Sequence, residues 1–203
     1  MSAGLYSTRS NLIIGFHGTT LDRAESIFAG RAGFRASTND YDWLGSGMYF
    51  WENNLKRAEA WAKQIAANKG GDAKPAVVGA ILDLGHCLDL TESENLEELA
   101  LSYEMLLNRL GAENLPKNST SRGGNDLLIR RLDCAVINSL HKLREETKLP
   151  MYDSVRGVFW EGEDLYPNAG FKSKNHIQLC ITNPNCIKGF FRPRSINSSY
   201  PIV

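Results

Sequence analysis

Apolar residues fall in short runs of two kinds along this chain, and the spacing within each run predicts its element. Residues 12–16 form an apolar run that ends at His17-Gly18-Thr19-Thr20, which predicts a strand followed by a turn. Thr20 stands where it can cap a helix over Leu21 to Ala29, with Ala24, Ile27 and Phe28 on one face and Gly30 as its stop. A polar loop then leads through Asp42-Trp43-Leu44-Gly45-Ser46-Gly47 into an aromatic strand, Met48-Tyr49-Phe50-Trp51. Residues 53–67 begin with asparagine and carry Leu55, Ala58, Ala62 and Ile65 at helical spacing, and Gly70-Gly71 stops that helix.

Residues 76–84 predict a central strand, and helical segments follow at about 95–110 and 126–147. Between those helices, Pro116 to Asn125 is rich in Ser, Asn and Gly and predicts a mobile loop. The last third returns to strand patterns over Ser154 to Trp160, His176 to Thr182 and Ile187 to Phe191. Strands at both ends with helices between them predict one α+β domain over residues 1–203. Within the strand at His176, a two-residue period puts His176, Gln178 and Cys180 on one face and Ile177, Leu179 and Ile181 on the other. A polar face on an otherwise apolar strand is either a solvated edge or the wall of a site.

Composition narrows the class. The 203 residues are 42% hydrophobic, and 23 Lys+Arg balance 23 Asp+Glu, an ordinary globular mixture. A wholly basic nucleic-acid coat and an acidic disordered tail are thereby excluded. No apolar run approaches the ~18 residues of a membrane helix, and the segment Met1 to Ser10 is polar with no signal-peptide core. The expected setting is the cytoplasm, away from membranes. Four cysteines (Cys87, Cys134, Cys180, Cys186) without a CxxC pair predict buried reduced thiols and no metal site.

The charge is unevenly spread. From Asp89 to Glu104 the chain has carboxylates and no Lys or Arg, whereas after Asp164 it has cations and no acidic side chain. Lys172, Lys174, Lys188, Arg192 and Arg194 are expected to surround the strand carrying Gln178, which keeps a nucleic acid open as a partner.

The residues suited to chemistry begin with His17, whose imidazole at a strand end can donate to a ribose hydroxyl, and Gly18, which lets a ligand approach the backbone. Gly45 and Gly47 allow a tight bend that leaves Tyr49 facing a cleft, where its ring is a stacking surface for a flat heterocycle. No GxGxxG fingerprint or Walker lysine is present.

Together, His17-Gly18-Thr19, then Gly45-Ser46-Gly47-Met48-Tyr49-Phe50 about thirty residues on, then Tyr152-Asp153-Ser154-Val155-Arg156-Gly157 and a late strand ending at Asn183-Pro184 resemble the ADP-ribosyltransferase superfamily. The nearer branch is that of diphtheria toxin and the poly(ADP-ribose) polymerases, with a triad of His, Tyr and a third polar residue, usually Glu and in some bacterial members Gln. Residues 76–90 are similar to its middle strand, and the resemblance runs from about 13 to 192 apart from 91–148. It implies a split antiparallel β-sheet core with flanking helices, a helical insertion at about 91–148, and NAD as co-substrate.

On the matching positions, the resemblance implies that His17 contacts an NAD ribose, that Gly18 holds the nicotinamide amide through its backbone, and that Tyr49 stacks on the nicotinamide ring. Thr19 and Gly47 fall beside these in the binding motifs. Aligning Asn183-Pro184 with the family's Asp-Pro puts Gln178 on the glutamate, and a register two residues earlier selects His176 instead. Glu161-Gly162-Glu163 resembles the Glu-x-Glu of the arginine-specific branch, but His17 stands where that branch expects arginine. Glu161 and Glu163 are therefore assigned, with Arg156 and His176, to the acceptor side. The family's serine and second stacking tyrosine fall on Arg57 and Ala60, so Trp61 or Trp51 has to supply a second ring.

The implied activity is transfer of single ADP-ribose units to a nucleic acid or protein with release of nicotinamide. The compact form resembles intracellular bacterial toxins of toxin–antitoxin or phage-defence systems, which implies an antitoxin protein as a partner. NAD hydrolysis, and a non-catalytic module that binds NAD or ADP-ribose, are the alternatives.

Overall fold

The computed structural model describes residues 12–120 and 126–199. The polar N-terminal segment and residues 121–125 of the loop expected at 116–125 lie outside these residues. The fold is α+β: one large, mostly antiparallel sheet with four helices. In chain order the elements are β1 (Ile13–Thr20), α1 (Leu21–Phe28), β2 (Met48–Glu52), α2 (Leu55–Lys69), β3 (Pro75–Leu82), β4 (Cys87–Asp89) and α3 (Ser93–Leu110). There follow β5 (Asn118–Ser119), β6 (Ile129–Arg130), α4 (Arg131–Glu146), β7 (Ser154–Phe159), β8 (His176–Ile181) and β9 (Ile187–Phe191).

The sheet order is β4-β7-β8-β2-β1-β3-β9, with β5 and β6 as a separate two-stranded ribbon. Only β4 and β7 run parallel in the large sheet. β8 is interior, so its polar face is no edge. Residues directly opposed in a ladder project to the same side. The pairs Tyr49↔Cys180, Trp51↔Gln178, Gly157↔Gln178 and Phe159↔His176 therefore put all these residues on one face. Gly15 pairs with both Glu52 and Ala80, and His17 with Val78, which sends His17 to the opposite face with Phe50.

Each face has its own core. On the Tyr49 face, Trp43, Leu44, Leu88, Ile137, Leu140, Tyr152, Val155, Phe159 and Cys180 form one cluster, to which α4 contributes Ile137 and Leu140. On the other, Met48, Phe50, Ala80, Leu82, Leu179 and Ile181 pack together, with Ala24 and Ile27 of α1 against Val78 beside them.

Local chemistry explains most boundaries. Asn54 caps α2, its side chain accepting from the Arg57 N–H at 3.1 Å, and Gly70 at φ 69° ends the helix. Thr20 occupies the cap position of α1 without a side-chain bond. The helix expected from 126 begins only at Arg131, because Ile129–Arg130 pair with Asn118–Ser119. Its cap comes from a distance: the Asn118 side-chain oxygen Oδ1 accepts from Leu132 N–H at 2.9 Å.

Helix α2 lies on the Tyr49 face against Gly18. A Cβ at Gly18 would stand 2.3 Å from the Ala58 carbonyl oxygen and 2.9 Å from the Ala62 nitrogen. Glycine facing two alanines thus sets the helix-to-sheet distance. Gly18→Ala is expected to lower the free energy of unfolding by about 1–3 kcal/mol, as forced overpacking does, measured by urea denaturation.

Candidate functional site

The strands carrying the three triad candidates are neighbours, in the order β8-β2-β1. Their pairing is unequal. β1 pairs with β3 along its whole length, from Ile13↔Leu82 to Thr20↔Pro75, but with β2 only at Gly15↔Glu52 and Phe16↔Trp51. From His17 onward no ladder pair joins β1 to β2. A side chain bridges that seam instead: His17 Nδ1 lies 2.8 Å from the Tyr49 carbonyl oxygen. A carbonyl only accepts, so Nδ1 carries the proton. The ring is wedged between Phe34 and Phe50, at centroid distances of 4.5 and 6.0 Å, and burial pushes its pKa below the ordinary histidine value.

Tyr49 is half-buried, and its hydroxyl is committed to the preceding turn. It donates to the Gly45 carbonyl at 2.8 Å and accepts from the Leu44 N–H at 2.9 Å, holding Gly45 at φ 80°. Burial, with Cys180 close by, raises its pKa far above the ordinary phenol range. Gly47 is tight against β8, for a Cβ there would meet Cys180 Sγ at 2.4 Å. Thr19 is buried on the His17 face.

Gln178 accepts a hydrogen bond through Oε1 from Trp43 Nε1 at 2.5 Å. Trp43 lies flat enough to reach it because residue 157, across from Gln178, is glycine: a Cβ there would be 2.6 Å from the indole. The Arg130 guanidinium stacks over Trp43 at 4.8 Å and Phe159 packs beside it at 5.0 Å. Trp43 therefore covers the amide of Gln178. The polar loop before the glycine-rich bend showed an aromatic residue but no reason to place it here.

His176 is 6% exposed, and its Nδ1 lies 2.6 Å from the Lys174 carbonyl. Burial lowers its pKa, with Arg57 adding to the effect and both the Lys174 carbonyl and Glu161 opposing it. Arg57 reaches from α2 to the Glu161 carboxylate at 2.5 Å, and Lys174 approaches that carboxylate at 3.7 Å. Glu163 is exposed, and its carbonyl takes the Ser173 N–H. The structure thus brings Gln178, His176, Trp51, Arg57 and Glu161 together on one side, with Tyr49 beside them.

Arg156 does not join them. It pairs with Leu179 and projects to the opposite face, where its guanidinium bonds Glu52 at 2.6 and 3.1 Å and Asp89 at 3.2 and 3.3 Å. The clustered basic end is also corrected. β9, with Lys188 close to its start, lies beyond β2, β1 and β3 from the Gln178 strand, because the sheet order separates what the chain places next to each other. Four of the five cations are paired: Lys172 with Asp164, Lys174 with Glu161, Lys188 with Asp83 and Arg192 with Glu25. The space beside Gly18, expected to let a ligand approach its backbone, is filled on the Cα side by α2. Its backbone amide plane borders the seam.

The chain is 26% identical over 191 residues to an uncharacterized protein of Methanocaldococcus jannaschii, covering 85% of this chain and 83% of that protein. No family model and no solved structure matches it.

Arg156→Met removes the guanidinium that bonds both Glu52 and the buried Asp89. It is expected to destabilise the fold by about 3–5 kcal/mol in urea denaturation, a loss of structure rather than of acceptor recognition.

Proposed function

We propose that this chain is an NAD-dependent mono-ADP-ribosyltransferase with an ADP-ribosyltransferase-like split sheet. The observation that carries this reading is the seam: the His17, Tyr49 and Gln178 strands adjoin, and β1 parts from β2 at His17. NAD lies along that opening. The nicotinamide amide meets the backbone of Gly18 in the plane of the sheet, where β2 forms no pair with it, rather than at the Cα face that α2 fills.

Cleavage of the nicotinamide–ribose bond develops positive charge on the ribose, and the protein's task is to hold and orient the reacting centres. From the opposite face the His17 imidazole, its Nδ1 kept on the Tyr49 carbonyl, holds a ribose hydroxyl through Nε2 at the seam, while on the other face the Tyr49 ring packs on the leaving group and the Gln178 amide orients a ribose hydroxyl once Trp43 has moved from it. A neutral amide in place of a carboxylate suits transfer of single units. The acceptor is a nucleic acid or protein, and the setting is an intracellular toxin with a neutralising protein partner. A module that binds NAD without cleaving it is favoured by one observation, the Trp43 indole that occupies Gln178.

Labelled NAD incubated with the chain and a cell extract tests the reading. Labelled macromolecule is expected, with turnover reduced on the order of 10²-fold in Tyr49→Ala and Gln178→Ala proteins of unchanged circular dichroism. Unaltered turnover in both variants refutes this site. Free ADP-ribose alone makes the chain a hydrolase, and NAD binding by calorimetry without nicotinamide release makes it a binding module.

A further inference from the structure

Among the described residues, four buried side-chain nitrogens have no hydrogen-bond partner: Trp51 Nε1, Arg57 Nε, His141 Nε2 and His176 Nε2. A buried polar atom left unpaired is costly, so a group of them calls for a reason. Three of the four belong to one neighbourhood. The Trp51 and His176 rings are 6.2 Å apart on the Gln178 face, and Trp51 stands directly across the ladder from Gln178. Arg57 and Glu161, joined as an ion pair, act electrostatically on His176. Trp51 and His176 are each 6% exposed.

Their hydrogen-bonding characters are complementary to one kind of group. Indole Nε1 and guanidinium Nε are donors. His176 Nδ1 faces the Lys174 carbonyl and holds the proton of the neutral ring, so Nε2 presents a lone pair. The site offers two donors and one acceptor, beside the amide assigned above to the ribose. Its outer wall is the Arg57–Glu161 ion pair, which spans from α2 to the loop after β7.

We propose that Trp51, Arg57 and His176 form the socket for the acceptor nucleophile, a neutral N–H or O–H group, and that His176 is the base that takes its proton. This rests on the ADP-ribosyl-transfer reading. The C1′–N bond breaks and its electron pair leaves with nicotinamide. The acceptor's lone pair forms the new bond to C1′, and the acceptor's proton passes to His176 Nε2 and then to water. Arg57 Nε–H and Trp51 Nε1–H hold an oxygen of the acceptor, which enters by parting Arg57 from Glu161. Glu161, engaged by Arg57 and Lys174, supplies charge to the socket rather than basicity.

The groups facing His176 are Arg57 from α2, Glu161 from the loop after β7, and the Lys174 carbonyl of its own segment. The base works only unprotonated, so transfer to extract acceptors rises with pH through the His176 pKa, which lies below the ordinary histidine value of about 6.5. His176→Gln is expected to lose about 100-fold in transfer and to lose this acid limb, with NAD affinity by calorimetry and the thermal midpoint retained. Glu161→Gln retains the limb and moves it to lower pH, since an anion that supports the imidazolium is gone.

Two results overturn the assignment while the parent reading stands: an acid limb that persists in His176→Gln, or one that disappears in Glu161→Gln, which would make Glu161 the base. A wild-type chain that turns over no NAD overturns both.

Discussion

A ladder that stops early governs this molecule. β1 and β2 share two residue pairs and then part, although β1 continues to pair with β3 as far as Thr20. Unpaired strand backbone inside a sheet is costly unless another group satisfies it. Here one imidazole does so, with His17 Nδ1 taking the Tyr49 carbonyl and two phenylalanine rings fixing its plane. The same imidazole thus bridges the seam between the two strands.

Around the seam, close approach of backbone is achieved by deleting side chains. Gly18 admits α2, Gly47 admits the Cys180 sulfur, and Gly157 admits the Trp43 indole. The polar groups divide by face. Arg156 is neutralised by Glu52 and Asp89 on one side, as a structural ion cluster. On the other, His176, Trp51 and Arg57 retain buried nitrogens without a hydrogen-bond partner next to aromatic rings, beside a Gln178 amide that the Trp43 indole engages.

Much of this was legible in the chain. Periodicity and glycine stops delimited β9 to the residue and β2, β3, β7, β8, α1, α2 and α3 nearly so, because these elements depend on near neighbours, whereas the turn expected at His17–Thr20 is strand, held by its pairing with β3. The start of α4 was not legible: Asn118 caps it from outside the segment. Nor was the placement of the cations, since order in the chain says nothing of order in the sheet. The faces of His17 and Arg156 follow from register, which no local pattern carries. Trp43 looked like a loop residue, and its part became visible only with Gly157 beneath it. Arg57 looked like a departure from a family pattern, and the fold pairs it with Glu161 beside His176.

The central claim is that the seam between β1 and β2 receives NAD. Titration of the 15N-labelled chain with NAD, followed by amide chemical shifts, tests it most directly. Shifts concentrated at His17, Gly18, Tyr49 and Gln178, with the Trp43 indole N–H released from its hydrogen bond, are the expected result. A groove of about 510 Å³ between α1 and α2, lined by Leu21, Phe28, Lys63 and Arg192, is the competing location. Shifts confined to that groove, with the seam unmoved, would contradict the account.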